Sequence, residues 1–200
     1  IADAMEYNDC KLIVVDPNKN TIGQKADLFV SVQPGTDAAL ALGLAKIIEE
    51  EGKTDDAFMQ QKSCAPFLVK ESDGRFLRKS DLEEGVAPEA DDFAVWDEAT
   101  DSLGYISTAQ NPVLRKKGVE VNGQRCNTSY SLLIDRLAEY PIDRVSEITT
   151  VPEDTIRTFA DMLCRPGKAD IFQGYGIDHY GHGFNTISGV SVLRIMLGMV

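Results

Sequence analysis

The sequence predicts an α/β fold in which parallel strands are flanked by helices, with a small β-rich segment inserted into it. Two short β-branched runs, residues 11–15 and 26–32, each end at a turn and have the length and composition of buried parallel strands. An Ala- and Leu-rich stretch over residues 38–51 carries apolar side chains at helical spacing. Residues 63–124 instead contain short β-type runs separated by Asp-Gly and Asn-Gly turns.

The N-terminal part predicts the order strand, loop, strand, turn, helix. Asp16-Pro17-Asn18 closes the first strand, and Pro34-Gly35 ends the second. Thr36 and Asp37 are residue types that favour a helix N-cap. Gly52 fits the position just after the helix, where glycine is preferred.

The inserted segment, residues 63–124, separates residues 1–62 from residues 125–200. Within it, residues 67–70 and 75–78 predict a hairpin with an Asp73-Gly74 turn, and residues 93–96 predict another strand. An Asn122-Gly123 turn lies at its end. We therefore predict a hairpin-rich insertion inside the α/β unit.

Helical pattern returns over residues 128–139. Thr150 and Glu153 have the spacing of a capping box for a helix that runs to about Cys164 and stops at Pro166-Gly167. A third strand is predicted over residues 169–174, followed by a glycine-rich loop (residues 174–183) and a last helix over residues 185–199.

Charge and cysteine spacing exclude several classes of function. With 20 Lys and Arg against 32 Asp and Glu, the net charge of −12 argues against a nucleic-acid partner, which needs clustered cations. No run approaches the roughly 20 apolar residues of a membrane span, so direct membrane insertion is not expected. The four cysteines form no CxxC motif, which disfavours local zinc or iron–sulfur ligation.

Asp16 and Pro17 form the first candidate site, at the carboxyl end of a predicted parallel strand. Ligands of open α/β sheets bind outside such strand ends. A carboxylate there can accept hydrogen bonds from both hydroxyls of a nucleotide ribose. Asp16 can equally serve only to form a turn with Pro17 and Asn18, and the residues alone leave both interpretations open.

The second candidate site is the segment from Gln33 through Gly35 to Asp37, between a strand and a helix start. Free N–H groups at a helix start suit an anionic or polar ligand. The Asp37 carboxylate could accept from the two adjacent donors of a guanine edge. Ordinary helix capping is the alternative for this segment.

The third candidate site is the glycine-rich loop, which contains Gly174, Tyr175 and Gly176. Its glycines would let the backbone approach a ligand closely, although an ordinary polar loop has the same composition. His179 stands where the dinucleotide fingerprint requires its third glycine. His179 and His182 lack further nearby ligands, so we predict no metal-ligating residue. The G-x-S-x-G and P-loop motifs are absent, and we predict no catalytic residue.

Taken together, these segments resemble the third domain of enzymes of the dimethyl-sulfoxide-reductase family. The resemblance covers residues 1–62 and 125–200, and its most specific part is the N-terminal block. It rests on the following segments: Ile13-Val14-Val15-Asp16-Pro17, Lys25-Ala26-Asp27, Gln33-Pro34-Gly35-Thr36-Asp37-Ala38-Ala39-Leu40-Ala41, Ile47-Ile48-Glu49-Glu50-Glu51-Gly52, Glu147-Ile148-Thr149, Val151-Pro152, Thr155-Ile156 and the glycine-rich loop.

The resemblance implies a partial Rossmann-like, three-layer domain of a larger oxidoreductase. That enzyme would hold molybdenum or tungsten between two molybdopterin guanine dinucleotides and transfer two electrons to or from a small-molecule substrate. Asp16 would lie near one guanosine ribose, Asp37 would recognise the guanine, and Gly174, Tyr175 and Gly176 would line the pterin side. An iron–sulfur cluster in a preceding region and an electron-transfer iron–sulfur subunit would accompany it.

Neither the cysteines of such a cluster nor a metal-ligating residue is found in this sequence. The chain begins without Met and ends in an apolar run, so we expect a fragment whose main partner is the rest of its parent chain. Alone, it is expected to be inactive and to bind the cofactor weakly or not at all. Two alternatives remain: a nucleotide-binding domain like the central domain of thiamine-diphosphate enzymes, and a subunit-interaction module acting through residues 63–124.

Overall fold

The computed structural model describes residues 2–165 and 169–199 as a chain of short strands and mostly short helices. Three-residue or four-residue 3₁₀ turns occur at Gly23–Lys25, Lys79–Asp81, Pro88–Ala90 and Tyr175–Asp178. The helices and strands are, in chain order, α1 (Ala2–Asn8), β1 (Ile13–Val15), β2 (Leu28–Val30), α2 (Asp37–Glu50), α3 (Asp56–Lys62), β3 (Leu68–Lys70), β4 (Ala94–Asp97), β5 (Ser102–Tyr105), β6 (Val119–Val121), β7 (Gln124–Thr128), α4 (Ser129–Leu137), α5 (Ile142–Thr149), α6 (Glu153–Leu163) and α7 (Gly183–Met196).

The chain divides into two compact units, and the mixed α/β class agrees with the prediction. The first unit comprises Ile1–Thr54 and Leu137–Val200, and the second comprises Asp55–Arg136. The second unit contains the predicted insertion, residues 63–124, and extends beyond it at both ends. In the described part of the chain, no helix is both long and apolar enough to cross a membrane.

The two strands of the first unit pair in parallel, as the sequence predicts. Ile13 is in register with Leu28, and Val15 with Val30. The Asp16 N–H then donates to the Val30 carbonyl at 3.1 Å, which continues the pairing one residue past β1. Because the strands are parallel and in register, the residues that follow them emerge at the same edge of the sheet.

The central helix of the first unit is α2, which the sequence also predicts. It buries Leu40, Leu44 and Ile48. At its end, the Gly52 N–H donates to the Glu49 carbonyl and the Lys53 N–H to the Ile48 carbonyl, both at 3.0 Å. Gly52 has φ +63, so these bonds form the Schellman arrangement that the glycine predicts.

Helices α5, α6 and α7 pack against α2 at close range. A Cβ added at Gly43 would lie 2.7 Å from Val145 Cγ2, so α5 approaches α2 where no larger residue fits. At Gly189 of α7, an added Cβ would lie 3.7 Å from both the Ala38 carbonyl oxygen and the Ala41 Cβ, an ordinary contact distance. The small residues of α2 and α7 therefore allow the helices to come close together.

Two C-terminal predictions are wrong. Thr150 does not cap α6: it follows α5 with φ 60, its hydroxyl donates to the Thr149 carbonyl at 2.7 Å, and Pro152 takes the N-cap position without a side-chain bond. The sequence did not reveal α5, which requires Thr150 to end one helix rather than begin the next. Residues 169–174 form no strand, and Phe172 is 87% exposed. The apolar composition of this segment predicted a strand, but no neighbouring strand pairs with it in the described structure.

Helices α1 and α3 were also unpredicted. Helix α3 begins at Asp55, whose side chain accepts from the Phe58 N–H at 2.9 Å. Helices α4 and α7 agree with the helices predicted over residues 128–139 and 185–199, with shifted ends. The predicted stop at Pro166-Gly167 lies outside the described residues.

The strands of the second unit form two antiparallel sheets, and both of its predicted turns are observed. Strands β3, β7 and β6 form one sheet in that order, while β4 pairs with β5. The Gly74 N–H donates to the Lys70 carbonyl at 2.9 Å, closing the Asp73-Gly74 hairpin. Asn122 and Gly123 have φ 48 and φ 75, as a type I′ turn requires.

Asp97, at the end of β4, organises the loops of the second unit. It is 5% exposed, and its carboxylate accepts from the backbone N–H groups of Gln110, Asn111 and Ala99 at 2.9–3.0 Å. The hydrogen bond from Gln110, together with those from Asn111 and Ala99, lowers the pKa of the Asp97 carboxyl against the opposing effect of burial. The ionised side chain thus holds a distant loop against the sheet.

Gly43→Ala is expected to lower the free energy of unfolding by about 1–3 kcal/mol, because the new methyl overpacks against Val145. This reverses the gain of about 1 kcal/mol that Gly-to-Ala normally gives inside a helix. The measurement is urea unfolding of the 200-residue chain. Gly189→Ala is the matched control and should not destabilise. In a Val145→Ala background, Gly43→Ala should become neutral or stabilising; persistent destabilisation there would contradict the packing.

Asp97→Asn is expected to lower the thermal unfolding midpoint at neutral pH, because the amide cannot accept through both of its polar atoms. Folding favours the ionised carboxylate, so its contribution is fully present above the unfolded pKa of about 3.9. It is lost as the pH falls through the lower folded pKa. Melting curves recorded from pH 7 to pH 3 should show that the difference in unfolding midpoint between the wild type and Asp97→Asn becomes smaller as the pH falls. Asp135→Asn, at an exposed aspartate, is the control and should change the unfolding midpoint little. A difference between the wild type and Asp97→Asn that does not depend on pH would refute the role of the ionised carboxylate.

Candidate cofactor-binding site

Asp16 lies immediately after β1, half-buried at the edge of the parallel sheet. Its Oδ1 accepts from the Asn18 N–H at 2.7 Å, and its Oδ2 accepts from the Asn20 side-chain amide at 3.2 Å. The turn interpretation therefore describes the observed bonds. Each carboxylate oxygen keeps a further lone pair, so these bonds leave acceptor capacity for a ribose. Pro17 is exposed beside it.

Residues 33–36 form a β-turn, here called the Pro-Gly turn, after β2. The Thr36 N–H and hydroxyl donate to the Gln33 carbonyl at 3.2 and 2.7 Å. Pro34 and Gly35 occupy the two central positions, and Gly35 has φ +82, the combination typical of a type II turn. The Gln33 N–H donates to the Thr149 carbonyl at 2.9 Å, so the end of α5 holds one side of this turn.

Asp37 is the first residue of α2 and lies half-buried. Burial raises the pKa of the Asp37 carboxyl, and a hydrogen bond from its own backbone N–H offsets part of that effect. Thr36 occupies the N-cap position without a side-chain cap, because its hydroxyl bonds the turn instead. Side-chain capping by Thr36, as expected from the sequence, is therefore not observed.

The glycine-rich loop presents its backbone and aromatic side chains to solvent. A Cβ built at Gly174 or Gly176 would meet no atom within 4 Å, so the space beside both α-carbons is open. Tyr175 is 88% exposed. Tyr175, Gly174 and Gln173 line a shallow recess of about 200 Å³ together with Ile177 and Ile187. The recess is a place where a planar ligand could contact backbone.

The glycine-rich loop and the Pro-Gly turn meet at one contact. The Cβ that Gly35 lacks would lie 3.4 Å from Cδ1 of the Tyr180 ring. The structure therefore brings together two segments that are far apart in sequence. Sequence reasoning gave Tyr180 no role; its only signal was an aromatic residue within a glycine-rich loop.

Within residues 2–165 and 169–199, no group of three or more His, Cys, Asp or Glu side chains is arranged to hold a metal ion. The candidate residues that the structure describes are polar side chains and backbone groups. A carboxylate turn after β1, and a Pro-Gly turn after β2 that leads into a helix, are features of ligand-binding α/β domains, whose ligands lie outside the carboxyl ends of the strands.

The chain belongs to the molybdopterin oxidoreductase family, whose model matches residues 1–200. It is 25% identical over 205 residues to dimethylsulfide dehydrogenase subunit alpha of Rhodovulum sulfidophilum, covering 96% of this chain and 22% of that protein. It is 29% identical over 199 residues to respiratory nitrate reductase subunit alpha of Haloferax mediterranei, covering 88% and 20%. The chain therefore spans about a fifth of the length of these curated relatives.

A solved structure supports the fold. Acetylene hydratase from Pelobacter acetylenicus matches with a TM-score of 0.62 at 22% identity, covering 99% of this chain and 18% of that one. The resemblance to the dimethyl-sulfoxide-reductase family is thus confirmed at the family level, and the thiamine-diphosphate alternative is excluded. The domain boundaries and the residue roles stay predictions.

Proposed function

We propose that this chain supplies guanosine and pterin contacts to the bis(molybdopterin guanine dinucleotide) cofactor of a molybdenum or tungsten oxidoreductase. The observation that carries the proposal is the half-buried Asp37 carboxylate, which begins α2 directly after the Pro-Gly turn that follows β2. Burial raises the pKa of the Asp37 carboxyl, so the folded chain disfavours its ionised form. Such a carboxylate is better explained by a ligand that donates to it than by stability.

The donor and acceptor chemistry fits a guanosine. Guanine offers its N1–H and 2-amino group side by side, and the two oxygens of a carboxylate accept from such a pair. Asp16 retains acceptor capacity at the end of the neighbouring strand, which suits the ribose hydroxyls. The residues present therefore match the nucleotide end of the cofactor.

The glycine-rich loop fits the opposite, pterin end. Gly174 and Gly176 have open space where other residues carry a side chain, so a ring system could lie against their backbone. When bound, the cofactor supplies the metal and the two-electron redox chemistry. This chain's part is to bind and orient: Asp37 and Asp16 fix the nucleotide, and residues 174–176 with Gln33 and Gly35 shape the surface beside it.

The rest of the enzyme follows from the same proposal. A small-molecule substrate and the metal ligand would be handled by regions outside these 200 residues. An electron-transfer iron–sulfur subunit is the partner that we infer, and an iron–sulfur cluster would lie in a preceding region of the parent enzyme. The net charge of −12 supports a reaction without nucleic acid.

Asp37→Asn is expected to weaken GMP binding by about 10- to 100-fold, because one acceptor of a charge-assisted pair is lost. The measurement is equilibrium dialysis of GMP with the cofactor-free, full-length enzyme that contains this chain. Asp143→Asn is the matched control, since Asp143 is an exposed carboxylate in the first turn of α5. An Asp37→Asn variant that keeps wild-type affinity would remove the basis of the proposal.

Acidification should weaken GMP binding at a higher pH than an ordinary aspartate would. The Asp37 pKa is raised by burial above its usual value of about 3.9, and only the ionised form accepts from both guanine donors. Conversely, the thermal unfolding midpoint of Asp37→Asn at neutral pH should not fall below that of the wild type. Loss of stability together with unchanged pH dependence would instead indicate a structural carboxylate.

A further inference from the structure

We infer that Tyr180 is a positioning residue that holds the Pro-Gly turn, and through it Asp37, in the arrangement that recognises guanine. The inference rests on the proposed function and adds a residue that the sequence did not single out. Tyr180 does not need to touch the nucleotide. Its role is to restrain the backbone from which the guanine-binding carboxylate projects.

The contact between Tyr180 and Gly35 covers the side of the turn that carries no side chain. The missing Cβ of Gly35 would lie 3.4 Å from Tyr180 Cδ1, 3.6 Å from Cγ and 3.9 Å from Cβ. The Tyr180 side chain therefore lies beside the position from which a side chain at Gly35 would project. Glycine is the residue with the greatest backbone freedom, so a packing restraint matters most at this position.

The other side of the turn is already fixed. The Gln33 N–H donates to the Thr149 carbonyl, and Thr149 is fully buried with its hydroxyl bonded to the Val145 carbonyl at 2.6 Å. Gly35 lies on the part of the turn that Tyr180 approaches. With both sides restrained, Asp37, two residues beyond Gly35, has a defined position.

Tyr180 is itself tied to the helix bundle that surrounds α2. The Gly183 N–H donates to the Tyr180 carbonyl at 2.9 Å, which places the tyrosine at the base of α7. Helix α7 packs closely on the first turns of α2, where Gly189 faces Ala38 and Ala41. Tyr180 is 46% exposed, so its replacement by alanine should alter the turn more than the stability of the core.

The test compares GMP and IMP binding to the cofactor-free, full-length enzyme. IMP lacks the 2-amino donor, so a fixed Asp37 carboxylate should prefer GMP by about tenfold. Tyr180→Ala should reduce that preference to about threefold or less, because the carboxylate is no longer held against both donors. Tyr180→Phe should retain the wild-type preference, since the ring makes the contact. Tyr7→Ala, at a 74% exposed tyrosine of α1, is the matched control and should also retain it.

Each outcome separates the two proposals. If Tyr180→Ala weakens GMP and IMP equally and keeps the preference, Tyr180 is only structural and the inference is overturned. If the wild type shows no preference, or Asp37→Asn keeps it, the proposed function fails as well. If Asp37→Asn loses the preference while Tyr180→Ala keeps it, the proposed function stands and the positioning role falls. If Tyr180→Ala does not fold, Tyr180→Leu is measured in its place, and the same loss of preference for GMP over IMP is expected.

Discussion

The parallel pairing of β1 with β2 is the constraint on which the candidate site depends. With Val15 opposite Val30, and the Asp16 N–H bonded to the Val30 carbonyl, both strands end at the same edge. Parallel strands require a connection that passes back along the sheet, so residues 16–27 must cross between them. A shift of this register would move Asp16 away from the chain that leads into the Pro-Gly turn.

Close packing of α5 and α7 on α2 positions the segments that contact the Pro-Gly turn in the first unit. Gly43 leaves room for Val145, which brings α5 near enough for its last residue, Thr149, to bond Gln33. Helix α7, which follows directly on the loop that carries Tyr180, packs on α2 at Ala38 and Ala41 with ordinary contact distances. Gly43, unfavourable inside a helix by local propensity, thus serves to bring the end of α5 to the Pro-Gly turn.

Two buried or half-buried aspartates, Asp97 and Asp37, lie in opposite electrostatic environments. In the second unit, Asp97 is stabilised by three backbone N–H groups, and its lowered pKa marks a carboxylate that holds loops in place. In the first unit, Asp37 is half-buried, and the desolvation raises the pKa of its carboxyl against the effect of a hydrogen bond from its own N–H. The contrast separates a carboxylate that the folded chain stabilises from one that it does not, and the second kind is the one on which the proposed guanine contact rests.

Elements whose signals are local could be predicted from the amino-acid sequence. The β-branched runs, the α2 pattern with Gly52, and the Asp73-Gly74 and Asn122-Gly123 turns depend on backbone preferences that neighbours hardly change. The family could also be inferred, because its motifs are contiguous. Three features required the folded structure: residues 169–174 do not pair as a strand, α5 ends at Thr149 with Thr150 as its C-cap, and Tyr180 lies beside Gly35. These depend on which surfaces are covered by distant segments, and such coverage leaves no periodic or local trace in the sequence.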